Sequence, residues 1–219
     1  MNKGIIIVLS GIDGSGKSTI SRKLSKSLIK NFNLKTRIVW VKSLHTLAYL
    51  IYVLFRKMWG IEYIVNPKGK ITEHYTTKWM KKLGSLWGFI EFLSVLPWIL
   101  ITLLYRFLGF TVICDRFIMD FLATVSLRVN NPFWPWKSIW GKSLKALQRK
   151  FLTFHLKVTL KTALQRRLDI EYDLKEFKLL TALYRILTND TNAHEILNEK
   201  TSISNIIKSI KKNLTNKTN

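Results

Sequence analysis

Acidic residues are scarce in this sequence: 13 Asp and Glu stand against 36 Lys and Arg in 219 residues, a formal net charge of +23. Such a charge favours anionic partners such as nucleotides, nucleic acid or a lipid surface, and it does not choose among them. Cysteine is scarcer still. The single Cys114 excludes an internal disulfide, and its spacing from the histidines matches no metal-binding pattern, so no structural metal site is expected.

The sequence also lacks an apolar run of full membrane-spanning length. Residues 92–105 are apolar or small, but they include Pro97 and are flanked by Glu91 and Arg106. Because a spanning helix needs about 20 apolar residues, a buried core helix is the favoured interpretation of this run. The N-terminus has no apolar stretch of the length that a signal peptide needs, and we expect a cytoplasmic protein.

Strand-like and helical segments alternate along the chain. Apolar runs predict four strands, at residues 5–9, 37–41, 111–114 and 152–158. Residues 18–30 predict an amphipathic helix, and a short fifth strand is expected at 185–187. This order predicts a three-layer α/β fold with a parallel sheet. We expect one domain over residues 1–212 and a frayed tail at 213–219.

The segment SGIDGSGKST, residues 10–19, follows the first predicted strand and opens the first predicted helix. It fits the phosphate-binding pattern G-x-x-x-x-G-K-[ST]. A triphosphate needs backbone N–H groups at a helix N-terminus, and glycines let the chain approach its oxygens closely. Lys17 is expected to contact the β and γ phosphates, and the Ser18 hydroxyl to ligate Mg²⁺. The residues expected to bind ATP are Gly11, Asp13, Gly14, Ser15, Gly16, Lys17, Ser18 and Thr19.

A second candidate site is Asp115-Arg116, at the end of the third predicted strand. Ligands of parallel sheets bind outside the carboxyl ends of the strands, so both side chains should lie beside the phosphate loop. Asp115 would hold Mg²⁺ or its water, and Arg116 would clamp phosphate oxygens. An Asp-Arg pair alone is more often a surface ion pair, and its place on the sheet is what favours a site.

Together these motifs resemble the thymidylate kinase family of P-loop nucleoside monophosphate kinases. The resemblance depends on SGIDGSGKST, ICDRF, the strand and helix in LTFHLKVTLKTALQRR, and the late Asn189-Asp190-Thr191. It implies a three-layer P-loop kinase fold, with a five-stranded parallel sheet flanked by helices. It also implies ATP- and Mg²⁺-dependent phosphorylation of dTMP to dTDP, with Lys17, Asp115, Arg116 and a lid arginine as catalytic residues.

The resemblance assigns further roles. Asp13 would contact the sugar of the acceptor, and Arg116 its phosphate. The lid of the family follows the fourth strand, at residues 161–176 here. It would supply Arg166, with Arg167 in reserve. Two solvent-facing arginines on a helix are the competing interpretation.

Two segments depart from the family. After the second strand, residues 41–44 read VKSL where the family has an arginine followed by Glu and Pro, so Lys42 would bind the acceptor phosphate without a bidentate fork. The helix at residues 86–105, which would face the thymine ring, is rich in Trp and Phe and has no arginine before Arg106.

Residues 132–151 combine an apolar helical stripe with Lys and Arg. This pattern usually indicates a helix that packs on the sheet. The alternative is an interfacial helix that lies on an anionic membrane. Basic residues are spread over the whole chain, so no specific nucleic-acid partner is expected. The chain is compatible with a homodimer. Two other functions stay open: a P-loop kinase of another phosphorylated or hydroxylated acceptor, and a membrane- or nucleic-acid-associated ATP-binding protein without kinase turnover.

Overall fold

A computed structural model describes residues 4–41, 46–166 and 171–198, together with positions 204, 205, 207, 208 and 212. The strands of the described chain are β1 Ile6–Ser10, β2 Thr36–Trp40, β3 Tyr63–Val65, β4 Ile71–Glu73, β5 Thr111–Asp115, β6 Leu152–Lys157 and β7 His194–Leu197. The helices are α1 Lys17–Phe32, α2 Thr46–Trp59, α3 Lys78–Leu83, α4 Ser85–Phe107, α5 Ile118–Arg128, α6 Trp134–Lys137, α7 Ile139–Gln148, α8 Leu160–Arg166 and α9 Leu174–Asp190.

The main sheet has five strands in the order β2-β5-β1-β6-β7, and every pair in it is parallel. The central strand β1 is buried on both faces. Ile7 and Leu9 pack toward α1, while Ile6 and Val8 pack toward the core that contains α4, α5 and α9. The structure therefore confirms the α/β prediction, with a five-stranded parallel sheet flanked by helices. Strands β3 and β4 form a separate antiparallel hairpin.

The predicted fifth strand at residues 185–187 is wrong, because these residues lie within α9. Leu180, Leu183 and Leu187 of α9 are buried at helical spacing, and the Asp173 carboxylate caps the helix by accepting from the amide of Glu176. The fifth strand is β7. It stands at the sheet edge and buries only one of its residues, Ile196, so it lacks the apolar run that identifies a strand buried on both faces.

Helix α4 contains the apolar run 92–105 and is 23 residues long, with a mean hydropathy of 1.9 over its most apolar window. It is long and apolar enough to cross a membrane by length and composition alone, and 39% of its most apolar window is buried inside the structure. On its inner face Glu91 receives two hydrogen bonds from Arg128 of α5 and one from Trp87. The inner face lies in the core, as expected, while the outer face is exposed.

Residues 132–151 form α6 and α7, which meet at Ser138. The Ser138 hydroxyl caps α7 by accepting from the amide of Gly141 at 2.8 Å. Trp140 contacts the Phe89 and Phe92 rings of α4. The Lys145 ammonium pairs with the Asp190 carboxylate at the end of α9. This segment therefore forms two helices that pack on α4 and α9, whereas the first interpretation placed one helix on the sheet.

Candidate active site

The phosphate-loop sequence connects β1 to α1 at the carboxyl edge of the sheet. Gly14 and Gly16 have φ values of 81° and 88°, in the left-handed region that favours glycine. A Cβ at Gly14 would lie 2.7 Å from the carbonyl oxygen of Ala163, and a Cβ at Gly16 would lie 2.7 Å from Nδ2 of Asn198. Both glycines are therefore required by the backbone conformation and by the close approach of neighbouring segments.

Helix α1 begins at Lys17, directly after the loop. The Lys17 ammonium donates to the carbonyl oxygens of Gly11 at 2.6 Å and Ile12 at 2.8 Å, and it is nearly buried. Ser18 and Thr19 are exposed on the first turn of the helix. The arrangement places a cation, two hydroxyls and the positive end of a helix dipole at one point, where anions bind favourably.

Asp115 ends β5 beside the loop, because parallel pairing aligns it with Leu9 at the end of β1. Burial raises the pKa of the Asp115 carboxyl, and a hydrogen bond with Ser18 opposes that shift. One buried carboxylate oxygen, Oδ1, has no hydrogen-bond partner among the described residues. A buried carboxylate oxygen with spare bonding capacity beside a serine hydroxyl fits the oxygen ligands that Mg²⁺ prefers. Ser18 and Asp115 are therefore a suitable pair for this cation.

Arg116 has a φ of 70°, an uncommon backbone conformation for a residue with a side chain. Its guanidinium contacts the Asp13 carboxylate of the loop, and its Nη1 lies 3.6 Å from Oδ1 of Asp120 on α5. The Arg116 amide donates to the carbonyl of Leu9 at 3.0 Å. The Asp13 and Asp120 carboxylates and the backbone hydrogen bond to Leu9 thus hold the Arg116 guanidinium at the carboxyl end of the sheet.

Asp120 is a site residue that sequence reasoning missed. Its carboxylate accepts from the Ser10 hydroxyl at the end of β1 and from the Tyr184 hydroxyl of α9 at 2.8 Å. Burial and the Asp120 charge hold the pKa of Tyr184 well above its usual value, so that hydroxyl stays a donor. Asp120 lies four residues after Arg116, but Arg116 precedes the start of α5, so helical spacing in the sequence does not indicate their contact.

The other missed residue is Asn198, directly after β7. Its side-chain Nδ2 donates to the carbonyl of Ser15 at 2.6 Å, and its own carbonyl accepts from the Arg166 guanidinium at 2.9 Å. The predicted fifth strand at 185–187 gives no reason to select Asn198, because this residue follows β7. The late Asn189-Asp190-Thr191 ends α9 instead, where Asp190 pairs with Lys145 and Arg149.

The loop and the two arginines surround one open pocket of about 400 Å³. Its lining residues are Gly14, Gly16, Lys17, Ser18, Thr19, Arg116 and Arg166. Three of these are cations and none is a carboxylate, so the pocket suits phosphate groups. All seven were expected site residues. Lys42 and the reserve candidate Arg167 lie outside the described residues.

Asp13 lines a different and much smaller cavity, on the other side of Arg116. It has a volume of about 10 Å³, and its walls include Thr124, Tyr172, Phe177 and Tyr184. This space has room for no more than about one water molecule. The Asp13 side of Arg116 is therefore closely packed, whereas the space above the loop is open.

We expect Asp115→Asn to lower the affinity for Mg²⁺ in the presence of ATP by about 10- to 100-fold, because an amide lacks the charge that attracts the cation. The raised pKa adds a pH dependence: acidification should protonate Asp115 and weaken Mg²⁺ binding in the wild type before an ordinary aspartate would respond. Calorimetric titration with Mg²⁺ at several pH values measures both effects. Glu195→Gln on β7 is the control, and equal Mg²⁺ affinity in Asp115→Asn would contradict the prediction.

The fold and the loop between β1 and α1 define a three-layer α/β protein with the P-loop kinase fold. A solved structure of thymidylate kinase from Ehrlichia chaffeensis is similar to this chain with a TM-score of 0.53. The alignment covers 97% of this chain and 99% of the thymidylate kinase chain. The two sequences are 17% identical, so the likeness shows the fold. No family model matches the chain, and no curated protein sequence matches it.

Proposed function

We propose that the protein is a nucleotide kinase that transfers the γ-phosphoryl group of ATP to a nucleoside monophosphate, with thymidine monophosphate as the leading acceptor. The observation that carries the proposal is the pocket above the loop, where Lys17, Arg116 and Arg166 line one open space with Ser18. Phosphoryl transfer needs positioning and charge compensation more than covalent chemistry, and this pocket offers both.

On this proposal the phosphates of ATP bind the loop amides and the N-terminus of α1. Lys17 exchanges its two carbonyl contacts for the β and γ phosphate oxygens, which are stronger acceptors. Ser18 and Asp115 would hold Mg²⁺, which when bound neutralises charge on the β and γ phosphates. No covalent intermediate with the protein is needed, since the loop and the cations hold donor and acceptor in line.

Arg116 and Arg166 have separate tasks. Arg116 is aimed by Asp13 and Asp120, so it can bridge the transferred phosphoryl group and the acceptor phosphate. Arg166 reaches the loop from α8 and is anchored to the carbonyl of Asn198. A guanidinium from each side of the pocket can offset the charge that develops during transfer.

The packing around Asp13 supports a second candidate: a kinase of the same fold whose acceptor is a smaller phosphorylated or hydroxylated compound. Tyr172 and Phe177 stand against the Asp13 side of Arg116, and the cavity there is far smaller than a nucleobase. A nucleoside monophosphate that binds beside Asp13 needs a rearrangement of the residues that line this cavity, whereas a small acceptor needs less space. The acceptor is therefore the property on which the two candidates differ.

A panel of acceptors tests the proposal. We expect transfer from MgATP to thymidine monophosphate above all other nucleoside monophosphates, loss of transfer in Arg116→Ala, and full transfer in Lys26→Ala, which removes an exposed cation on the same α1 helix. Transfer only to small phosphorylated or hydroxylated compounds would support the second candidate. ATP binding without transfer to any acceptor would contradict both and favour a nucleotide-binding protein without kinase turnover.

A further inference from the structure

The outer face of α4 is an apolar stripe with no charge. Leu86, Leu93, Leu100, Leu104 and Phe107 are 37 to 65% exposed and follow one another at intervals of three, four or seven residues, which places them on one side of the helix. The only charged residues of α4 are Glu91, which is buried in the core, and Arg106 in the last turn. Exposed surface this apolar and this long is uncommon on a protein that has no partner there.

Helix α2 has a similar stripe. Leu47, Leu50, Leu54 and Met58 are 43 to 68% exposed at intervals of three or four residues. Thr46 and Ala48 hydrogen-bond Ser94, which brings the start of α2 against the middle of α4. We refer to the exposed apolar stripes of α2 and α4 together as the apolar face.

The β3–β4 hairpin is joined to α2 through Tyr52, which is buried and lies on the opposite side of the helix from Leu50 and Leu54. The Tyr52 hydroxyl of α2 donates to Glu73 of β4, which joins the hairpin to the helix. Tyr63 and Val65 of β3 and Ile71 of β4 are 60 to 73% exposed. The turn between the strands contains Lys68 and Lys70. Exposed apolar side chains next to lysines are typical of segments that enter the interfacial region of a bilayer.

The net charge of residues 46–107 indicates which kind of partner binds the apolar face. Residues 46–107 contain eight Lys and Arg but three Asp and Glu. All three carboxylates are engaged: Glu91 with Arg128, Glu73 with Arg56 and Tyr52, and Glu62 with the amide of Lys78. Arg56 pairs with Glu73 and Lys81 with Glu176, and the other basic residues of this region leave an excess of positive charge, which attracts anions.

A second copy of the chain fits this face less well than a lipid surface. Each copy has a formal charge of +23, so two copies that meet through this region repel each other. An anionic bilayer offers the opposite charge to the lysines and an apolar interior to the leucines. Membrane spanning by α4 conflicts with its inner face, where the Glu91–Arg128 pair ties the helix to α5.

We propose that the apolar face binds the surface of an anionic lipid bilayer, with α2 and α4 lying in the interfacial plane. The loop and its pocket stay with the rest of the fold outside the lipid. The contact does not depend on the acceptor or on kinase turnover, so it stands or fails independently of the proposed function. It also differs from the interfacial alternative for residues 132–151, whose Trp140 and Lys145 pack against α4 and α9.

Vesicle co-sedimentation with the full chain tests the proposal. The probes are vesicles of phosphatidylcholine alone and of phosphatidylcholine mixed with phosphatidylserine. We expect the mixed vesicles to bind the protein about tenfold better or more, and added salt to weaken that binding. The variant Leu54→Glu/Leu100→Glu, at positions 60% and 65% exposed, should bind at least about tenfold less. Ile186→Glu on α9, which is 51% exposed and outside the face, should bind like the wild type.

Circular dichroism and ATP binding check that the double variant is folded. Failure of the wild type to bind mixed vesicles, or undiminished binding by the folded double variant, would overturn the proposal. Light scattering measures the oligomeric state and so tests whether the apolar face is an interface between two copies. If the wild type is a dimer that the double variant breaks, and neither binds vesicles, the apolar face is an interface between two copies and the lipid proposal is wrong.

Discussion

Lys17→Ala is expected to lower phosphoryl transfer by about 10²- to 10³-fold, the usual effect of removing one preorganised group that stabilises a transition state electrostatically. Lys17 is the cation nearest the loop amides, and its ammonium is held by the carbonyls of Gly11 and Ile12. Alanine removes the charge together with its hydrogen bonds to these two loop carbonyls. Steady-state rates at saturating MgATP measure the effect on turnover, and ATP titration measures the effect on binding.

Two further variants separate charge from shape at this position. Lys17→Arg keeps a positive charge but cannot keep the same compact contact with two carbonyls, so it should recover only part of the activity. Lys26→Ala removes an exposed cation from the same helix and should leave transfer unchanged. Turnover by Lys17→Ala at the wild-type rate would refute the assignment of the loop as the catalytic phosphate site.

Arg128→Met is expected to lower the free energy of unfolding by about 3–5 kcal/mol, which corresponds to a fall in Tm of about 6–20 °C for a protein of this size. Arg128 is 3% exposed and its Nη1 donates to both oxygens of Glu91, which is 1% exposed. Removal of the guanidinium leaves a buried carboxylate whose remaining contact is the Trp87 indole N–H. Chemical denaturation or thermal unfolding measures the loss.

A double variant shows whether the uncompensated charge causes that loss. Glu91→Gln/Arg128→Met removes both charges and keeps a side-chain oxygen for the Trp87 indole, so it should regain much of the stability lost in the single variant. A single variant that loses less than about 1 kcal/mol would mean that the pair is exchangeable with solvent, contrary to its burial. The pair joins α4 to α5, and α5 begins two residues after Arg116, so the pair also supports the site.

The signals that predicted the site are local in the sequence. The strand β1, the loop and the start of α1 are adjacent along the chain, and their residue types follow from what a phosphate requires of a backbone. Asp115 and Arg116 could be placed beside the loop because an apolar strand ends at Asp115 and parallel strands end at the same edge. Arg166 required the resemblance to a kinase family as well, since nothing in its local sequence indicates a ligand.

The residues that sequence reasoning missed are defined by contacts between distant segments. Asp120 reaches Ser10 and Tyr184, which are 110 and 64 residues away along the chain. Asn198 reaches Ser15 across 183 residues. The edge strand β7 precedes Asn198, and it has too few buried residues to produce an alternating or continuous apolar pattern.

By itself, the sequence determined the α/β class, the central strand, the phosphate loop and the apolar character of α4, because each follows from residue type and short-range spacing. Only the tertiary structure decided which side of α4 is covered. A helix that is apolar all around has no pattern that distinguishes a core side from an exposed side. Burial is decided by what packs against the helix, and here α5 and β5 cover one side while Leu100 and Leu104 remain in contact with solvent.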